Sequence, residues 1–162
     1  MKRRMFVASF VLAVLALVGL AGSAVAEDQV PFRGSLVGLD TGIPLDPPYV
    51  SITVEAAGNA TQLGEFSLTV LATVNRATGT GTGTFLFTAA SGDTVFGTTS
   101  GQSTPTAPGV ITIVENWIIT DGTGRFAGAT GSFIGTRLKN LVTGLTVGDF
   151  EGTISSPGAG NP

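Results

Sequence analysis

Most of the chain alternates apolar and polar residues, and it shows almost no helical periodicity. An alternation with a period of two places successive side chains on opposite faces of a β-strand. Threonine, valine, isoleucine and phenylalanine dominate the alternating segments, as suits a pleated and half-buried surface. The pattern predicts eight strands, over residues 29–39, 49–57, 64–75, 79–89, 93–99, 110–120, 129–138 and 145–154.

Short runs of turn-forming residues separate these segments. Three examples are Asp40-Thr41-Gly42, residues 57–59 and residues 105–109. Eight short antiparallel strands with short connections predict an all-β fold. Two architectures fit: a closed up-and-down barrel of the calycin-like type, and a sandwich of two sheets.

The placement of glycine favours the barrel. In the segment 79–87, three glycines share one strand face with Phe85 and Phe87, while threonines occupy the other face. Glycines also flank Phe133 and Phe150 at two-residue spacing. Large side chains that alternate with absent ones are typical of a narrow barrel interior. We therefore expect one eight-stranded antiparallel barrel over residues 27–155, and the alternative is a sandwich whose glycines permit bulges.

The first 26 residues are predicted to be an export signal rather than part of the fold. Three basic residues are followed by an apolar run over residues 5–21, and small residues stand at Ala24 and Ala26 before the acidic Glu27. This order is typical of a signal peptide cleaved after Ala26. Arg3 and Arg4 also fit a twin-arginine signal loosely, so the export route stays open. Residues 156–162 lack an apolar pattern and are predicted to be a flexible tail.

Composition excludes several kinds of chemistry. The chain has no histidine and no cysteine, so zinc fingers, iron–sulfur clusters, disulfides and a Ser-His-Asp triad are ruled out. We expect neither a metal nor another cofactor. After cleavage 136 residues would remain, with five basic and eleven acidic side chains and a net charge of −6. Such a protein is not expected to bind nucleic acid or an anionic membrane surface. Export without disulfides favours a secreted or periplasmic location in a bacterium.

The most distinctive stretch is residues 120–133, TDGTGRFAGATGSF. Its glycines alone would suit a dinucleotide-binding turn, but a strand-like segment follows where such a turn needs a helix. The stretch resembles the loop of the allene oxide cyclase-like and dirigent-like barrel proteins, where a glycine-rich turn, a basic residue and an aromatic anchor precede a strand of small residues. The resemblance is firm over residues 110–137 and looser over residues 64–154.

This resemblance implies an eight-stranded barrel with a pocket in its mouth or lumen. Proteins of this kind isomerise an oxidised fatty acid or steer the coupling of phenol radicals, largely by shaping an apolar cavity. None of their catalytic residues matches a position of this chain. On the barrel hypothesis, Phe126 would plug one end, and Arg125 would stay solvated or pair with an acid.

One strand carries the candidate chemistry. In residues 110–120 the odd-numbered face is the more apolar and is the expected inner face, which places Glu115 in the lumen beside Trp117 and Ile113. Desolvation among such neighbours would make Glu115 a candidate acid or base. The alternative is that the register is reversed, or that Glu115 lies at the rim and pairs with an arginine. Phe85 and Phe87 are further candidate ligand contacts, and core packing is the ordinary role of such rings.

Three functions therefore stay open. The first is a secreted barrel that binds a small apolar or phenolic molecule in its lumen. The second is a cofactor-free cyclase or isomerase of the allene oxide cyclase-like type that uses Glu115. The third is a structural or surface-associated protein without a ligand, which a sealed and fully packed barrel would favour.

Overall fold

Eight antiparallel strands close into one barrel in the computed structural model, which describes residues 28–155 and 157–158. Each strand pairs with its sequence neighbours, and β1 pairs with β8 to complete the circle. The strands are β1 (Gln29–Pro44), β2 (Tyr49–Ala60), β3 (Gly64–Asn75), β4 (Thr80–Ala89), β5 (Thr94–Ala107), β6 (Val110–Gly122), β7 (Gly131–Asn140) and β8 (Leu145–Ser155).

The predicted fold class and strand count are confirmed, and closure rules out the two-sheet sandwich. Two predicted turns are wrong, because Thr41 and Gly58 lie inside β1 and β2, where they pair with Thr53 and Leu36. The strand β5 also continues to Ala107, well beyond the predicted end at residue 99. Its second half is a run of small polar residues, which has no apolar alternation to reveal it. The predicted signal peptide and most of the predicted tail lie outside the described residues.

Gly58 shows why a residue typical of turns stands inside a strand. A Cβ atom at this position would overlap the carbonyl oxygen of Ser35 on β1 and lie 2.7 Å from Cζ of Phe66. Glycine therefore lets the neighbouring backbone and a phenyl ring take the space of a side chain. The ring fills the lumen where the glycine adds nothing, as the alternation of large and absent side chains predicts.

A cluster of aromatic rings fills the lower half of the barrel. Each ring packs against several others, at centroid distances between 4.9 and 6.2 Å, mostly in tilted or edge-to-face arrangements. All seven side chains are buried. The aromatic core consists of Phe32, Phe66, Phe85, Phe87, Trp117, Phe133 and Phe150.

The end of the barrel below the aromatic core is plugged. The β6–β7 connection forms a short 3₁₀ helix (Gly124–Phe126), and Phe126 is 1% exposed beneath the core together with Leu63 and Ala129. Arg125 contacts Asp93 on the neighbouring loop, at 3.6 Å from Nε to Oδ2. The predicted plug at Phe126 and the pairing of Arg125 with an acid are thus confirmed. No helix within residues 28–155 is long and apolar enough to cross a membrane.

Candidate functional site: a cavity in the upper barrel

The upper half of the barrel encloses a cavity of about 520 Å³. It opens where the hairpin connections 45–48, 76–79, 108–109 and 141–144 meet, at the end opposite Phe126. Alternate residues of seven strands point into it, because the period of a strand sends every second side chain to the lumen. Most of the wall is aliphatic, formed by Val50, Ile52, Val54, Val70, Ala72, Val74, Ile111 and Ile113.

Glycines also line the upper half of the lumen. Gly81 on β4 and Gly101 on β5 line the cavity and contribute no side chain to it. The side chains that approach them are those of Val74 and Glu115, whereas in the lower half phenyl rings approach Gly34 and Gly58. The same residue type therefore accompanies dense packing below and open volume above, and the size of the neighbouring side chains decides which occurs.

Four charged side chains form the floor between the cavity and the aromatic core. Arg137 on β7 donates two hydrogen bonds to Glu115, from Nε to Oε2 at 2.8 Å and from Nη2 to Oε1 at 3.0 Å. Its Nη1 donates to Asp40 at 3.1 Å and to Thr146 at 3.1 Å. Lys139 completes the group with its Nζ atom 3.2 Å from Oδ2 of Asp40. Two cations and two carboxylates thus form a charge-balanced ionic floor.

The ionic floor is buried, so its charges depend on one another. The side chains of Arg137 and Asp40 are 5% and 1% exposed. Burial alone would lower the pKa of Arg137, but the hydrogen bonds and charges of Glu115 and Asp40 outweigh burial and hold the pKa above its ordinary value. Buried charges are tolerated where they are paired and hydrogen-bonded. The ionic floor is therefore a single unit, and removing one member leaves the others uncompensated.

Glu115 occupies the predicted inner face of β6, next to Trp117 along the same face. Its surroundings differ from the expected wall of apolar side chains, because both carboxylate oxygens accept guanidinium N–H groups. The alternative pairing with an arginine is confirmed, although the pair lies inside the lumen rather than at the rim.

The other four candidates divide between the two halves of the barrel. Ile113 lines the cavity wall. Phe85, Phe87 and Trp117 belong to the aromatic core, and none of them lines the cavity. The structure therefore brings Glu115 and Ile113 together at the cavity and places the three aromatic candidates below them.

Three charged residues of the ionic floor are not predicted from the sequence. Arg137 and Lys139 continue the inward face of Phe133 and Gly135, so their orientation follows from alternation. Charged side chains are normally exposed, so the presence of Arg137 argues against an inward orientation of this strand face. Its pairing with Glu115 explains why it nevertheless points into the lumen. Asp40 was assigned to a turn, and the extension of β1 brings it into the ionic floor.

Two buried polar atoms near the ionic floor have no hydrogen-bond partner in the described part of the chain. They are Oγ1 of Thr99 and Nε1 of Trp117, two residues that pair between β5 and β6. The same part of the chain contains no cluster of acidic side chains arranged to hold a metal ion.

Comparisons with known proteins identify no family for this chain. No protein-family model matches the chain, and neither curated proteins nor solved structures gave a significant match.

Proposed function

We propose that the protein is a small exported barrel that binds a small apolar or phenolic molecule in its upper lumen. The observation that carries the proposal is the cavity of about 520 Å³ above the ionic floor, open at one end and plugged at the other. Ligand pockets for small molecules have volumes of roughly 300–1,000 Å³ and mostly apolar linings with a few polar groups. The aliphatic wall and the four floor residues match that description.

Binding without chemistry fits the ionic floor better than acid–base catalysis does. A catalytic acid or base needs an oxygen that can reach a substrate proton. Both oxygens of Glu115 accept N–H groups of Arg137. If the protein were a cyclase of the allene oxide cyclase-like type, replacing Glu115 with Gln would abolish turnover and leave ligand binding nearly intact.

The third function, a structural protein without a ligand, would be favoured by a barrel packed throughout. Close packing is found here only below the ionic floor. The walls above it leave room for a guest molecule, so the argument for a purely structural role lacks its main support.

The experiment is a titration with N-phenyl-1-naphthylamine, an uncharged probe that becomes fluorescent in apolar surroundings. The test variant is Ala72→Phe, because Ala72 lines the cavity and a phenyl group there would occupy part of it. We expect the variant to weaken probe binding by about tenfold or more, which corresponds to about 1.4 kcal/mol.

The matched control is Leu71→Phe. Leu71 is the preceding residue on β3 and is 56% exposed on the outer face, so this variant carries a new ring outside the cavity. It should bind the probe like the wild type. Equal weakening by both variants, or no saturable binding to the wild-type protein, would overturn the proposal.

A further inference from the structure

The distribution of charge in the barrel is uneven, and the cavity carries the positive part. Of the five basic residues in the described chain, Arg76, Arg137 and Lys139 line the cavity. Of the ten acidic residues there, only Asp40 and Glu115 do so. The cavity lining thus has one excess positive charge inside a protein whose remaining surface is strongly acidic.

Arg76 supplies the excess charge. It follows β3 at the cavity mouth, and no acidic side chain of the described residues lies within ion-pair distance of it. The other two cations of the lining, Arg137 and Lys139, both pair with Asp40 in the ionic floor. Arg76 is therefore the cation of the cavity lining that has no acidic partner among the described residues.

The depth of the cavity limits the size of its ligand. On β6 the wall runs from Ile111 near the mouth to Glu115 in the ionic floor. Four residues of strand correspond to about 13 Å. A long, extended acyl chain exceeds this depth, whereas a molecule of one or two rings fits within it.

We propose that the ligand is a compact apolar monoanion, a ring system with one carboxylate. This inference rests on the proposed function and specifies its ligand class. The rings lie against the aliphatic wall, and the carboxylate stays at the mouth beside Arg76. One negative charge neutralises the cavity lining, and burying a charge is tolerated when it is compensated in this way. Oppositely charged groups around a cleft also attract the ligand from solution.

The experiment compares 2-naphthoate with 2-naphthol by equilibrium dialysis at neutral pH. The two probes share their rings and differ in charge. We expect wild-type protein to bind 2-naphthoate about tenfold tighter than 2-naphthol. We expect Arg76→Gln to weaken 2-naphthoate binding by about three- to tenfold and to leave 2-naphthol binding unchanged. Added salt should narrow the preference for 2-naphthoate over 2-naphthol.

The matched control is Arg33→Gln, which removes the same charge from the outer face of β1, where Arg33 is well exposed. It should leave the binding of both probes unchanged. Equal affinities for the two probes, or equal effects of the Arg33 and Arg76 variants, would overturn the inference. If N-phenyl-1-naphthylamine binds and 2-naphthoate does not, the charge inference fails and the proposed function stands. If none of the three probes binds, both fail.

Discussion

Removing Arg137 should lower the free energy of unfolding by more than the removal of one exposed charge would. The variant Arg137→Met keeps a side chain of similar length but leaves Asp40 and Glu115 with only Lys139 to compensate them. Taking away one partner of a buried ion pair costs about 3–5 kcal/mol, because the remaining charge stays desolvated. That is a large part of the total stability of about 5–15 kcal/mol that a domain of this size has.

The assay is urea unfolding at neutral pH, followed by the fluorescence of Trp117. This is the only tryptophan of the chain and is 2% exposed, so unfolding moves it from the aromatic core into water. With a dependence of about 2 kcal/mol per molar urea, the unfolding midpoint should fall by about 2 M. Circular dichroism should give the same midpoint if unfolding is two-state.

A second variant separates the loss of charge compensation from the loss of packing. In the double variant Glu115→Gln with Arg137→Met, the remaining charges are Asp40 and Lys139, which still balance. We expect the double variant to be more stable than Arg137→Met alone. The control Arg33→Met, at an ion pair of 4.0 Å with both side chains well exposed, should cost less than about 1 kcal/mol. If the double variant is less stable than Arg137→Met alone, the uncompensated charge is not the cause of the destabilisation.

Three further predictions concern other parts of the chain. Gly58→Ala should lower the melting temperature, because its Cβ would lie 2.7 Å from a ring atom of Phe66. In the control Gly42→Ala, the nearest atoms are the ends of two side chains at 3.1 and 3.3 Å, so the melting temperature should hardly change. Equal effects of the two variants would refute this reasoning. Hydrogen bonds from the backbone N–H groups of Gly122, at the end of β6, and Gly128, in the β6–β7 loop, lower the pKa of Asp121. Its stabilising effect is therefore complete above the unfolded pKa and is lost as the pH falls through the lower folded pKa. Asp121→Asn should thus have a lower melting temperature than the wild type at neutral pH, and the difference should shrink as the pH falls below about 4; a difference that stays constant in acid would count against the idea. Mass spectrometry of exported protein should find Glu27 as the first residue, and an uncleaved chain would contradict the predicted signal peptide.

The fold was predictable because its main signals are local. Alternation over β3, β4 and β6 identifies strands and their inner faces without knowledge of their neighbours. The errors occur where a strand depends on its partners instead. Gly58 lies in a segment typical of turns, and pairing with Leu36 on β1 and Phe66 on β3 holds it in a strand.

The site was predictable only in part, because its chemistry is made by pairing across strands. Alternation placed Glu115 in the lumen correctly. It could not show that Arg137, 22 residues later, would donate hydrogen bonds to that carboxylate. Nor could it show that Asp40, 97 residues before Arg137, would pair with the same guanidinium group. Sequence patterns also could not show where the rings would end and open volume would begin.

The ionic floor divides the barrel into two parts with different tolerance of change. Below it, the interlocking rings leave little freedom, because a change of size at one ring disturbs several others. Above it, positions such as Ile52 and Ala72 line the cavity, so a change of size there alters the volume of the cavity. The shape of the cavity is therefore set by the upper wall, while the lower half keeps the barrel folded.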